Sequence, residues 1–362
     1  MQGHVKVAPA RWWHVPGLSR LIRETRRHRS AGATVLWAPQ WSPSLGLLQS
    51  VWAVPMPGMV GPRSFVAEIE SRPVGLAQMR PRREPHQWEV VYLAVEQPPG
   101  AGSSVEADEV APGSAWLRSV PDRRATRLLG ELCDAGMALG AERIFASITD
   151  DGGRFELFKQ VGFSPVVREY GYFRAREAKA GVATPRRHAA QRVAGIAGLR
   201  PQRRADAFGL LQLYQECTPK VVQMAEGKRS RSWDLPANGL GRRVLPPGWA
   251  SQRGAERWVV ERDARKVAWL HLTRRRRGHH LVQLLVDQRA SDLNEPLLRF
   301  AVAQLEADPA PGIMVNVREH QHGIVAALEG LGFSRVETRL LMVKQLAIMV
   351  RHQFVPALEK VV

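Results

Sequence analysis

The residues of this chain best suited to chemistry are few and far apart. Glu89 stands in the apolar run WEVVYLAV, Trp88 to Val95. A carboxylate there is a candidate proton acceptor, and a solvated glutamate at a strand start is the competing reading. Tyr92 in the same run, and Tyr170 and Tyr172 in REYGYF, supply hydroxyls; such a tyrosine is more often a packed aromatic with its OH at the surface than an acid. Arg123, Arg124, Thr126 and Arg127 in DRRATRL stand where a helix is expected to start, and they could supply charge and donors to a phosphate. His279-His280 and His320-Gln321-His322 invite a metal. Adjacent histidines on a strand point to opposite faces, and the second group lacks a carboxylate or cysteine at ligand spacing, so no metal is expected. The run Arg274–Arg277 reads as a solvated charged turn, with an anionic partner as the alternative.

The elements that must position these groups are built on a repeat. FELFKQVGFSPVVREYGYF (Phe155–Phe173) predicts a short helix closed at Gly162 by a left-handed residue, with Phe163 folded back over the last turn and a strand following. AALEGLGFSRVETRLLMV (Ala326–Val343) repeats the device at a shift of 170. Upstream, VKVAPARWWHVPGLSRLIRE and AGLRPQRRADAFGLLQLYQE align at a shift of 192, each a strand leading into a helix. The hairpins SFVAEIESRPVGLAQM and RWVVERDARKVAWLHL align at 193, and the same shift sets WEVVYLAV on LVQLLVDQ as central strands. PDRRATRLLGELCDAGMALGAERIFASI, a helix ending at Gly140 and then a strand, aligns with SDLNEPLLRFAVAQLEADPAPGIMVNV at 170. Each copy therefore reads strand, helix, hairpin, central strand, helix, strand, helix, strand: a mixed α/β unit with a crossover helix.

Residues 1–175 form the expected first domain, with an acidic, Pro/Gly/Ser-rich insertion at 96–115. Residues 176–198 are a linker, 199–345 the second domain, and 346–362 a tail. Two domains suit a chain of 362 residues, and a hydrophobic fraction of 44 % is ample for two cores. No stretch is apolar for long enough to span a bilayer, and no basic-then-apolar leader opens the chain. Cys133 and Cys217, far apart and unpaired, fit a reducing cytoplasm rather than a disulfide or a cysteine metal site. The net charge of +18 is uneven: +5 over residues 1–180 and +13 over 181–362. With 44 arginines against 8 lysines the excess reads as compositional bias, and neither nucleic acid nor a membrane is an expected partner. The sequence sets no oligomeric state.

This element order, ending in a helix and a Gly-Phe turn, resembles the GNAT acyltransferase superfamily. The likeness covers most of both copies and is sharpest over residues 142–174, ERIFASITDDGGRFELFKQVGFSPVVREYGYFR. It implies an α/β protein of two tandem GNAT-like domains, each a mixed central sheet flanked by helices. It also implies acetyl-CoA as acyl donor, held in a splay between two central strands, with direct transfer to an amine. On that resemblance the backbone of Leu93, Ala94 and Val95 would hold the pantetheine arm. Arg123, Arg124, Ala125, Thr126 and Arg127 would stand at the pyrophosphate. Glu89 would be the base, with Tyr92 and Tyr172 as hydroxyls near the cleft. Trp37, Trp41 and Trp52 fall where such folds build the acceptor pocket.

Three departures stand out. The pyrophosphate loop of the family is glycine-containing, but DRRATRL has no glycine, and SDLNEPL in the second copy has neither glycine nor arginine and carries Asp292 and Glu295. The family's tyrosine acid, four residues before the Gly-Phe glycine, is Phe158 in one copy and Leu328 in the other. The asparagine that often precedes that helix is Asp151 or Gln321. The expectation is an acetyl-CoA-dependent N-acetyltransferase acting on a small-molecule or protein amine, with the chemistry in the first domain and a degenerate second copy. The alternative is a non-catalytic tandem scaffold or ligand sensor.

Overall fold

The computed structural model describes residues 5–27, 63–82, 84–96, 123–149, 153–176, 195–235, 252–275, 278–306 and 312–346. Trp37, Trp41, Trp52, Asp122, Asp151, Arg276, Arg277, the insertion beyond Glu96, residues 177–194 of the linker and the tail beyond Leu346 lie outside them.

The first copy runs β1 (Lys6–Pro9), α1 (Val15–Arg27), β2 (Arg63–Ile69), β3 (Arg72–Pro81), β4 (Gln87–Val95), α2 (Arg123–Ala138), β5 (Arg143–Thr149), α3 (Gly153–Gln160) and β6 (Ser164–Ala175). The second runs β7 (Leu199–Pro201), α4 (Ala207–Cys217), α5 (Lys220–Glu226), β8 (Gln252–Arg262), β9 (Arg265–Arg275), β10 (His280–Val286), α6 (Asn294–Leu305), β11 (Gly312–Arg318), α7 (Val325–Gly330) and β12 (Ser334–Gln345). The local signals act as the sequence predicts. Gly162 and Gly332 take φ of +91° and +77°. Phe163 and Phe333 then send their N–H groups back to the carbonyls of Phe158 and Leu328. Both hairpins turn on two residues of positive φ, Glu70-Ser71 and Asp263-Ala264.

All twelve strands join one sheet in the order β1-β2-β3-β4-β5-β12-β6-β11-β10-β9-β8-β7. The closing strands are exchanged. β12 pairs antiparallel with β5, Arg339 opposite Thr149, and β6 pairs antiparallel with β11, Arg318 opposite Glu169. β6 and β12 then pair with each other, so a pseudo-two-fold axis passes between them. The exchange covers both inner edges, and the two outer edges are the short strands β1 and β7.

One face carries α1, packed through Leu18, Leu21 and Ile22 on Val66, Leu76 and Tyr92, together with α4 on Val259 and Leu285 and α5 on Phe145, Val167 and Leu341. The other face carries α2 and α3 over the first copy and α6 and α7 over the second. Helix α5 belongs to the second copy yet covers strands β5, β12 and β6 at the axis. No helix among the described residues is long and apolar enough to cross a membrane. Cys133 is buried and Cys217 half-buried, both free thiols, and burial pushes each thiol up to about 12. Arg274 and Arg275 are buried rather than solvated; Arg274 binds Glu256 and the Gln304 carbonyl.

Candidate functional site

The site is set by a bulge. Along β3 and β4, Arg80 faces Glu89 and Met79 faces Val90, but Gln78 faces Tyr92, which leaves Val91 as an extra residue. The inserted residue brings Glu89 and Tyr92, three positions apart, to the same face of the sheet, the α1 face. Glu89 receives hydrogen bonds from Arg80 Nε and Nη2 at 3.2 and 3.0 Å and is half-buried. Tyr92 is buried beneath α1.

Beyond the bulge β4 leaves β5. Their parallel pairing ends at Val90 opposite Ala146, and the strands diverge into a V. Glu96 N–H bonds the Val74 carbonyl of β3, so by antiparallel alternation Leu93 and Val95 turn their amide groups away from β3 and into the V. Among the described residues no side chain bonds the Leu93 or Val95 carbonyl. Ala94 points to α1. At the mouth, Arg124 Nη1 lies 3.5 Å from the Glu96 carbonyl. Arg123 and Arg127 are exposed and Thr126 is half-buried. Ala125 is buried in the core.

The second copy forms the same V and fills it. β10 and β11 pair only from His280 to Val282, and β10 has no bulge against β9. Strand register therefore sets Trp88 on His280, Glu89 on Leu281 and, past the bulge, Val95 on Val286; this corrects the alignment of WEVVYLAV with LVQLLVDQ at a constant shift. The carbonyls equivalent to those of Leu93 and Val95 are taken. Gln321 Nε2 donates to Leu284 O at 3.0 Å, and Cys217 Sγ–H to Val286 O at 3.4 Å. Asp292 is paired with Arg262 and Glu295 with Arg299. An acyl-CoA arm would have to displace Gln321 and then meet two acids.

On the α1/α5 face a cavity of about 560 Å³ crosses the sheet centre, from Arg80, Arg82 and Glu89 in the first copy, past Ser147, to Trp233, Trp269 and His320 in the second. Its wall holds a buried ionic knot. Glu226, 2 % exposed, accepts Tyr214 O–H at 2.7 Å and Arg318 at 2.5 and 3.2 Å, with Lys228 Nζ at 3.3 Å. Arg318 also binds Glu169 at 3.2 Å. Burial by itself would raise the Glu226 carboxyl, but Arg318 and Lys228 outweigh it and hold the group well below the usual carboxylate range. Burial pulls the Lys228 ammonium down, against Glu226, and burial followed by Glu226 pushes the Tyr214 phenol up. Burial, then Arg318, pulls His320 to about 4, so its imidazole is neutral at pH 7. Gln87 Nε2 donates to the Glu226 carbonyl at 2.6 Å, which pins α5 of the second copy to β4 of the first.

Glu89 and Tyr92 thus share a face, but Tyr172 does not join them. It points to the opposite face, into the core of the second copy with Val315 and Phe333. Burial, then Glu329, raises its phenol. From β6 it is Glu169 that reaches the cavity. Phe158 is fully buried and stacks edge-on against Phe163 at 5.0 Å, a wholly structural position. No cluster of His, Cys, Asp or Glu among the described residues could hold a metal. The sequence reading missed Arg80, Lys228, Glu226, Arg318 and Trp233. Only Arg80 left a signal, as the residue opposite Glu89 when the hairpin is counted back from its turn.

No protein-family model matches the chain, and no curated protein matches its sequence. Among solved structures, a tandem GNAT protein from the clavulanic acid biosynthesis pathway aligns over 94 % of this chain and 98 % of its own, with a TM-score of 0.50 at 13 % identity. The fold is the tandem GNAT fold. A GCN5-related N-acetyltransferase from Sphaerobacter thermophilus (TM-score 0.47, 13 % identity, 94 % of this chain and 95 % of its own) is a looser match. So is a putative acetyltransferase from Pyrococcus horikoshii (TM-score 0.45, 12 % identity, 96 % and 91 %). Identities this low speak to the GNAT fold alone.

Proposed function

We propose that the chain is an acetyl-CoA-dependent N-acetyltransferase whose chemistry belongs to the first copy, residues 1–175, acting on an amine in a cytoplasmic setting. The observation that carries this reading is the asymmetry of the two V-shaped openings. Among the described residues, the one beside Glu89 leaves the Leu93 and Val95 carbonyls without a side-chain partner, and the other is filled by Gln321 and Cys217. An extended amide arm fits the first as an added strand fits a sheet edge. Acetyl-CoA supplies a thioester acyl group. Arg123, Arg124, Thr126 and Arg127, with the backbone of Ala125, are the groups suited to its phosphates. Glu89, held in place by Arg80, takes the proton from the acceptor ammonium, directly or through water. The neutral amine then attacks the acyl carbon, and the carbon–sulfur bond breaks as the carbon–nitrogen bond is completed. With Phe158 in place of a tyrosine, the departing thiolate takes its proton from the new amide nitrogen or from solvent.

The test is calorimetric titration of the full chain with acetyl-CoA, repeated on Arg124→Ala. Micromolar binding at one per chain, weakened by the substitution, supports the reading. No heat at millimolar acetyl-CoA sinks it and leaves the second reading, a non-catalytic tandem GNAT scaffold or sensor, which the buried Phe158 favours.

A further inference from the structure

Helices α4 and α5 and the 3-10 turn Ser230–Trp233 form one continuous layer on the sheet. Gln223 Nε2 donates to the Gln215 carbonyl at 2.7 Å, and Tyr214 O–H to Glu226 at 2.7 Å, which stitches α5 to α4. Gln202 Nε2 donates to the Trp233 carbonyl at 2.6 Å, which ties the turn to the segment leading into α4. The inner side of the layer is committed, with Leu210, Leu213, Val222, Ala225 and Trp233 buried. Its outer side combines two properties.

The first is unpaired charge. Arg203, Arg204, Lys220, Arg229 and Arg231 are exposed, and among the described residues none of their side chains makes a hydrogen bond or an ion pair. The acids of the same stretch are already taken. Asp206 is bound by Arg200 and Lys266, Glu216 by Arg265, and Glu226 by Arg318 and Lys228. Asp234, just past the turn, lies beside Arg257, which donates to its carbonyl. An arginine-rich composition accounts for the number of cations but not for this arrangement. Elsewhere on the second copy Arg262, Arg274 and Arg299 each meet a carboxylate.

The second is exposed apolar surface. Phe208 on α4, and Val221 and Met224 one turn apart on α5, are 64, 66 and 73 % exposed. Large apolar side chains set among unpaired cations mark an interaction surface. A nucleic acid would match the charge but not Val221 and Met224, which offer a base no aromatic face. A bilayer would need more than three apolar side chains on two short helices whose inner faces are spent. Carboxylates and apolar side chains on one polypeptide answer both properties, and a methionine adapts to varied apolar partners.

We infer that the outer side of the α4/α5 layer docks an acidic, amphipathic polypeptide segment. This goes beyond acyl transfer and does not depend on it. The same layer walls the cavity through Tyr214, Glu226 and Trp233, so the docked segment stands one helix layer away from the candidate site.

Fluorescence anisotropy of a labelled peptide on the full chain tests it, at about 0.15 M salt so that weak long-range attraction is screened. The peptide has about 14 residues, with Glu on one face and Leu and Phe at helical spacing on the other. We expect micromolar binding. Changing Arg203, Arg204, Arg229 and Arg231 together to Gln should weaken it about ten-fold or more. Changing Lys6, Arg63, Arg289 and Arg335 to Gln, four exposed cations elsewhere, should weaken it less than about two-fold. Val221→Ser with Met224→Ser should weaken the amphipathic peptide about five-fold or more and spare an all-Glu peptide. Circular dichroism checks that each variant is folded. No binding at millimolar peptide, or equal losses in the two charge variants, would overturn the inference. So would an all-Glu peptide, duplex DNA or phosphatidylserine vesicles binding as tightly as the amphipathic peptide.

Discussion

Changing Glu226 to alanine should destabilise the protein by about 3–5 kcal/mol, the cost of stripping one partner from a buried charge network. The carboxylate is 2 % exposed and is bound by Arg318, Lys228 and Tyr214. Its loss leaves two buried cations facing each other and a phenol without its acceptor. The charge-assisted bonds contribute about 1.5–3 kcal/mol each in isolation, but they share one anion and do not add. Glu169 still neutralises part of Arg318, which keeps the loss within the stated range. The assay is urea unfolding of the full chain, comparing midpoints at constant slope. Replacing Arg318 by methionine as well should return part of the loss, because the pair is then removed together. A cost under about 1 kcal/mol for Glu226→Ala, or a double variant as unstable as the sum of its singles, would show that the knot is hydrated and uncoupled, and the argument from burial would fall.

Acid should unfold the protein earlier than its ordinary carboxylates require. Glu226, and Asp206, which is buried just before α4 and accepts two hydrogen bonds from Arg200, both have folded-state values held below their unfolded ones. Their stabilisation is therefore present above the normal carboxylate range and is lost as pH falls through that range toward the depressed values. A urea midpoint that falls from pH 5 to pH 3, with a shallower fall in Glu226→Ala, checks the sign. Gln321→Ala should cost about 1 kcal/mol by orphaning the Leu284 carbonyl. Acetyl-CoA stoichiometry should nevertheless stay at one per chain, since Asp292 and Glu295 remain; a second equivalent in the titration would contradict that. Glu89→Gln should lower kcat/KM by about 10² or more with acetyl-CoA affinity unchanged, and an unaltered rate would remove Glu89 from the chemistry.

The sequence alone determined everything that depends on neighbours along the chain. Gly162 and Gly332 close helices because only a left-handed residue lets the next N–H turn back. The collinear blocks made the duplication, the α/β class and the GNAT element order legible from the order of residues. The constant-shift alignment of WEVVYLAV with LVQLLVDQ did not survive. A bulge depends on how β3 matches β4 across the ladder, and WEVVYLAV carries no local mark of the extra residue. The same limit put Tyr172 in the candidate site, when β6 turns Glu169 toward the cavity and Tyr172 toward the opposite core.

Only the tertiary structure decided how the copies join. Ser164–Ala175 and Ser334–Gln345 are near-equivalent closing strands, and either could satisfy the edge of β5 or of β11. Nothing within the strands distinguishes the exchanged pairing from the unexchanged one. The choice is made by contacts more than a hundred residues apart, such as Arg318 to Glu169 and Gln87 to the Glu226 carbonyl. Those contacts assemble one cavity from two copies, because side chains that meet across a sheet leave no pattern in the order of the chain that brings them there.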